Sequence, residues 1–165
     1  MNRFDSDLLA SLLKKAENTL KCRQHVNLHH SHSEKCQRLI NIIGCDSYIQ
    51  PHRHSLDPKI ETLVALSGLF SLVKFDDKGV VCDVSYFGSQ RHVGISCNAF
   101  GVEIMPNEWH TIIAMSPDAY LFEVKEGPFL SGLAKEMAPW APQEGVLEAR
   151  HYFDELKRHI HNFIN

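Results

Sequence analysis

The chain has 165 residues, 44% of them hydrophobic and 22% charged, a size and balance that suit one globular unit. Its net charge of -3, with acidic and basic residues interspersed, offers no broad attraction to nucleic acid or to an anionic membrane. A small anionic ligand held by a local basic pocket remains compatible with that bulk charge.

The opening segment, MNRFDSDLLASLLKKAEN, carries charges throughout and has no uninterrupted apolar core, which argues against a signal peptide. No run of about 18 apolar residues occurs, so no membrane span is expected. From about Ser6 to Lys21 the pattern predicts an amphipathic helix. Leu8, Leu9, Leu12, Leu13, Ala16 and Leu20 form its apolar stripe, and Ser6 or Asp5 is placed to cap it. Five cysteines (Cys22, Cys36, Cys45, Cys82 and Cys97) are scattered and never spaced as CxxC. That pattern speaks against a zinc finger or a disulfide framework and predicts reduced thiols in the cytosol.

From Cys36 to Lys125 short runs rich in β-branched and aromatic residues follow one another: QRLINII, ETLVALS, LFSLVKF, VVCDVSYF, HVGIS, FGVEIM, WHTIIAM and YLFEVK. Turn chemistry separates many of them, as at Phe75-Asp76-Asp77-Lys78-Gly79, Phe87-Gly88-Ser89 and Ser116-Pro117-Asp118. Short strands at roughly ten-residue spacing, with no helical pattern between them, predict a β-sandwich or closed barrel. A doubly wound α/β fold would alternate strands with helices, and this chain does not. A loop-rich stretch, EGPFLSGLAKEMAPWAPQEG, then leads to a helix from about Leu147 to Phe163 with Tyr152, Phe153, Leu156, Ile160 and Phe163 as its buried stripe. The expected organisation is a single domain, with a helical arm at about 5–21, a barrel at about 36–126, and a C-terminal arm and helix at about 127–164.

Eleven histidines are unusual for this length, and one pair is informative. In Pro51-His52-Arg53-His54, alternation along a strand sends His52 and His54 to one face and Arg53 to the other. Two imidazoles converging inside a barrel use core space poorly unless a cation binds them. Glu61, which opens ETLVALS, can add a carboxylate, and His110, in MPNEWHTII, can complete the set. Surface or satisfied core histidines are the competing reading.

The run Gly44…His52-Arg53-His54…Glu61…Gly68 resembles the first cupin motif, and Met105-Pro106-Asn107-Glu108-Trp109-His110 resembles the second. More narrowly, CQRLINII, YIQPHRH, ETLVALSG, PNEWHT, FEVKEGPF and APWAPQEG together make the chain similar along nearly its whole length to WbuC-type cupin metalloproteins. The resemblance implies a jelly-roll β-barrel with one divalent metal per chain on His52, His54, Glu61 and His110, and a role in bacterial surface-polysaccharide (O-antigen) synthesis. It implies no established reaction. Six residues, SLDPKI, separate His54 from Glu61, which is longer than the general motif and leaves Asp57 as a rival carboxylate. Asn107 stands where the motif has glycine, and asparagine tolerates the left-handed backbone needed there.

Three imidazoles and one carboxylate leave coordination positions open and suit Fe, Ni, Mn or Zn alike. A metal-dependent isomerase, hydrolase or oxygenase acting on a sugar or sugar-nucleotide metabolite is the leading expectation, and a non-catalytic small-ligand binding or sensing module is the alternative. Candidate substrate contacts are His29 (with His30 and His32), Arg38, Arg53, Lys125 and Trp140. Each has a competing structural reading: a polar surface loop for the histidines, surface ion pairing for the arginines, and packing of the C-terminal arm for Trp140. Apolar faces on both terminal helices lead us to expect a homodimer, with neither nucleic acid nor membrane as a partner.

Overall fold

The computed structural model describes residues 4–89, 99–117 and 119–163. The expected strand HVGIS and the turn position Asp118 lie outside them. The elements run α1 (Ser6–Glu17), β1 (Arg23–Asn27), β2 (Cys36–Ile43), β3 (His52–Arg53), β4 (Glu61–Ser67), β5 (Leu69–Phe75), β6 (Val81–Gly88), β7 (Gly101–Ile104), β8 (Trp109–Ala114), β9 (Ala119–Glu126), β10 (Glu136–Met137) and α2 (Leu147–Asn162). The strands form two five-stranded sheets, ordered β1-β2-β9-β4-β7 and β10-β3-β8-β5-β6, with every ladder antiparallel. Strands far apart in sequence lie side by side, as a jelly roll requires.

Two differences from the sequence reading stand out. The β-structure begins at β1, ahead of the expected start, and its end strand β10 lies inside the loop-rich stretch. RQHVN and a two-residue strand are too short and too polar to announce themselves by periodicity. Helix α1 also ends at Glu17, four residues early, where Asn18 takes the C-cap. Leu20 therefore leaves the apolar stripe and is fully exposed. Asp5 is the N-cap, accepting a hydrogen bond from the Leu8 amide.

The packing explains why several strands are apolar on both faces. Between the sheets, Leu63, Phe70, Leu72, Phe87, Ile104 and Leu121, each at most 2% exposed, belong to one apolar core. On the outer face of the second sheet, Val73, Phe75, Trp109 and Ile113 pack against Ala138, Ala141 and the α2 residues Phe153, Leu156 and Ile160. On the outer face of the first, Ile40 and Ile42 meet Leu12 and Ala16 of α1. Each helix thus seals one outer sheet face, and each large side chain so buried contributes roughly 1.5–3 kcal/mol. Phe163, expected in the α2 stripe, is instead 52% exposed at the helix end.

The C-terminal arm is tied down by polar bonds. The Gln50 amide donates to the carbonyls of Ala138 and Ala141, each at 3.2 Å. Arg23 reaches both Glu144 carboxylate oxygens at 2.6 Å, and the Tyr48 hydroxyl donates to Pro142 at 2.9 Å. Trp140 lies against Gly79 so closely that any β-carbon there would collide with the indole. Gly79 also has φ +85°, so its identity is fixed twice.

Candidate metal centre

β3 lies between β10 and β8, and its register places His52 directly across from His110. Alternation then turns Arg53 outward, where it bonds Glu136 at 2.7 Å and stacks 4.2 Å from the centre of the Trp109 ring. His54 follows on the inner side. All three imidazoles are buried, with His110 only 1% exposed. Their available ring nitrogens lie within 4.8 Å of one another. Asn107 enters the second motif with φ 69°, the left-handed conformation its position requires.

Each ring is oriented in the same way. Nδ1 of His52 lies 2.9 Å from the Gln50 carbonyl, that of His110 lies 2.8 Å from the Glu108 carbonyl, and that of His54 lies 2.7 Å from the Ala134 carbonyl. A carbonyl only accepts, so each Nδ1 carries the proton and donates it, and each Nε2 presents a lone pair. Two of these carbonyls come from two residues earlier on the same segment. The third is supplied by the C-terminal arm, which makes that arm part of the site.

Glu61, the first residue of β4, is buried with Leu63 and Ala65 on the inner face of its strand. Its Oε2 lies 3.4 Å from His54 Nε2 and 3.8 Å from His110 Nε2. Asp57 instead pairs with Lys59 at 2.6 Å. Cross-strand register sets Glu61 opposite Lys125, whose ammonium bonds Glu61 at 3.0 Å and Glu123 at 2.7 Å. Glu123 in turn accepts from Asn41 at 2.8 Å. Burial is the largest influence on Glu61 and opposes its charge, but the Lys125 ammonium, His110, His54 and Glu123 together outweigh it, and the carboxyl is held well below the usual carboxylate range. Burial and the neighbouring Glu61 charge push Glu123 the other way, upward. Burial, reinforced by Lys135 and His110, lowers His52 well below an ordinary histidine and keeps it neutral, the form that ligates metal.

These residues fit a divalent cation. His110 Nε2 is a buried polar atom with no hydrogen-bond partner, a deficit of about 1–3 kcal/mol if left uncompensated. Three lone pairs and a carboxylate converge, an arrangement of acceptors that a cation satisfies. Imidazole nitrogen with one carboxylate suits zinc, iron, nickel or manganese.

The site opens into a cavity of about 580 Å³ between the sheets. Its wall includes His25 of β1, Asn41 of β2, Glu123 and Lys125 of β9, and Lys135 of the arm. Of the candidate substrate contacts, His29, His32 and Lys125 line this cavity. Arg38 pairs with Glu34 at 2.9 Å, Arg53 faces outward, and Trp140 packs on Phe75 with ring centres 4.9 Å apart. The structure does not bring these three to the cavity. Sequence reasoning missed Glu123 and Lys135. Glu123 had a signal, since it shares a strand face with Lys125 two residues on; Lys135, in a loop, had none.

The family model described as a domain of unknown function (DUF6016) matches residues 4–86. No curated protein matches the sequence. Among solved structures the chain is similar to protein SO0799 from Shewanella oneidensis, with a TM-score of 0.58 at 9% identity over 96% of this chain and 98% of that one. A Klebsiella pneumoniae protein with a double-stranded β-helix domain gives a TM-score of 0.52 at 12% identity, covering 84% and 98%. Salicylate 1,2-dioxygenase from Pseudoaminobacter salicylatoxidans gives a TM-score of 0.56 at 6% identity, covering 82% of this chain and 37% of that chain. At such identities the likeness is one of fold: a cupin jelly roll with a helix at each end.

Proposed function

The chain belongs to the DUF6016 family, and we propose that it is a metal-dependent cupin in which His52, His54 and His110, with Glu61 as fourth ligand, hold one divalent ion at the base of the open cavity. The observation that carries this reading is the shared orientation of three buried imidazoles, each giving its Nδ1 proton to a carbonyl and turning Nε2 inward. When bound, such an ion supplies Lewis-acid chemistry, polarising a carbonyl or hydroxyl of a small molecule. The protein's own residues do the rest. The carbonyls of Gln50, Glu108 and Ala134 fix the ligand tautomers. Lys125 keeps Glu61 ionised and in place. The apolar core residues Leu63, Ile112 and Leu121 line the cavity and limit water around the ion.

The resemblance to WbuC-type cupins supports a sugar-derived ligand in surface-polysaccharide synthesis, in a cytosolic homodimer. The thiols of Cys22, Cys36 and Cys82 are free, which suits a reducing compartment. Among the described residues no helix is long and apolar enough to cross a membrane.

The test is elemental analysis of protein reconstituted with zinc, iron, nickel or manganese. Wild type should carry close to one ion per chain, and His52→Ala should lose most of it, with affinity down more than about 100-fold. Wild type that takes up none of the four metals would overturn the reading.

A further inference from the structure

The segment that orients His54 also delivers a cation. Ala134 offers its carbonyl to His54, Glu136 turns outward to Arg53, and Lys135 between them lines the cavity. Lys135 is the loop residue directly before Glu136, where pairing of β10 with β3 begins, so the sheet anchors the chain next to it. Lys135 is an exposed residue on the cavity wall, and partial desolvation there lowers its pKa. Among the described residues no ion pair engages it. The other cations of the cavity are all occupied: Lys125 by Glu61 and Glu123, and Lys21 and Arg23 by Glu144.

Charge balance says what Lys135 faces. Two buried carboxylates, Glu61 and Glu123, offset two ammonium groups, Lys125 and Lys135. A divalent ion on the imidazoles would then leave two positive charges uncompensated along the cavity wall, a field that attracts a small anion. A further polar group waits nearby. His29 is 8% exposed, and its Nε2 has no hydrogen-bond partner. His25, His29 and Lys135 all line the cavity, and His25 lies within electrostatic reach of the other two.

We propose that the cavity takes a small organic anion, a carboxylate or a phosphate ester, and that Lys135 is the residue that pairs with its charge. The charge count rests on the metal reading above; the unpaired lysine does not. The experiment is calorimetric titration, at low ionic strength, of zinc-loaded and metal-free protein. Succinate serves as the carboxylate probe and glycerol phosphate as the phosphate-ester probe. At least one should bind wild type, and whichever binds names the anionic group. Lys135→Met should weaken that probe about tenfold or more, while Lys135→Arg stays within about threefold. Zinc content should be unchanged in both variants. Lys135→Gln repeats the reading should the methionine variant fail to fold. Failure of both probes to bind wild type, or equal affinity in wild type and Lys135→Met, overturns the proposal. Absence of zinc uptake by wild type overturns the metal reading instead, and the metal-free titrations still decide the role of Lys135.

Discussion

Glu61 and Asp57 are the two carboxylates that follow His54, and their surroundings separate them. Glu61 sits on the inner face of β4, 6% exposed, with an oxygen 3.4 Å from His54 Nε2. Asp57 precedes Pro58 and is engaged by Lys59 at 2.6 Å, as a residue biased toward extended backbone outside the strand should be. Glu61→Gln should therefore weaken metal binding by about 10-fold or more, whereas Asp57→Asn should leave it nearly unchanged. Titration of each variant with zinc against a competing chelator checks this, and the reverse order of effects would reassign the ligand. The histidine pair was legible because strand alternation depends on nothing but spacing: His52 and His54 had to share a face. Lys135 was not legible, because the chain next to it is anchored by β10 pairing with β3, a contact spanning some eighty residues of chain.

At the scale of elements, the C-terminal arm carries more of the site than its loop-like sequence suggests. It supplies the Ala134 carbonyl to His54 and the β10 edge to β3. Its far end is clamped by Glu144, which bonds Arg23 and lies 2.9 Å from Lys21. Burial works against the Glu144 charge, but Lys21 and Arg23 outweigh it and lower its pKa below 4.5. A carboxyl depressed in the folded state stabilises above its unfolded pKa, and that contribution fades as pH falls through the folded value. Glu144→Gln should thus cost about 1 kcal/mol or more at pH 7, and the difference from wild type should shrink below pH 4.5. Urea unfolding at the two pH values measures it; a cost independent of pH would mean the clamp is not ionic. The strands ETLVALS, LFSLVKF and YLFEVK were legible as β-structure. Their two-sided apolar character, which hid the direction of the inner face, is explained by α1 and α2 covering the outer faces.

For the whole molecule, the helices, the arm and the strands of the described residues converge on one arrangement. Apolar packing fills one part of the space between the sheets, and polar and apolar residues together line the cavity in another. Strand spacing led to a sandwich or closed barrel, since no helical period interrupts residues 36–126, and the jelly roll followed from the resemblance to cupins. The charge balance of the cavity did not, because it depends on which side chains from β4, β9 and the arm face one another. The central claim is that this cavity holds one divalent ion on three Nε2 atoms and Glu61. Anomalous diffraction from crystals of cobalt-reconstituted protein tests it most directly. The account predicts one peak per chain at bonding distance, about 2.0–2.2 Å, from His52, His54 and His110, with Glu61 beside it. A saturated crystal with no peak among these residues, or with its strongest peak elsewhere in the chain, would contradict it.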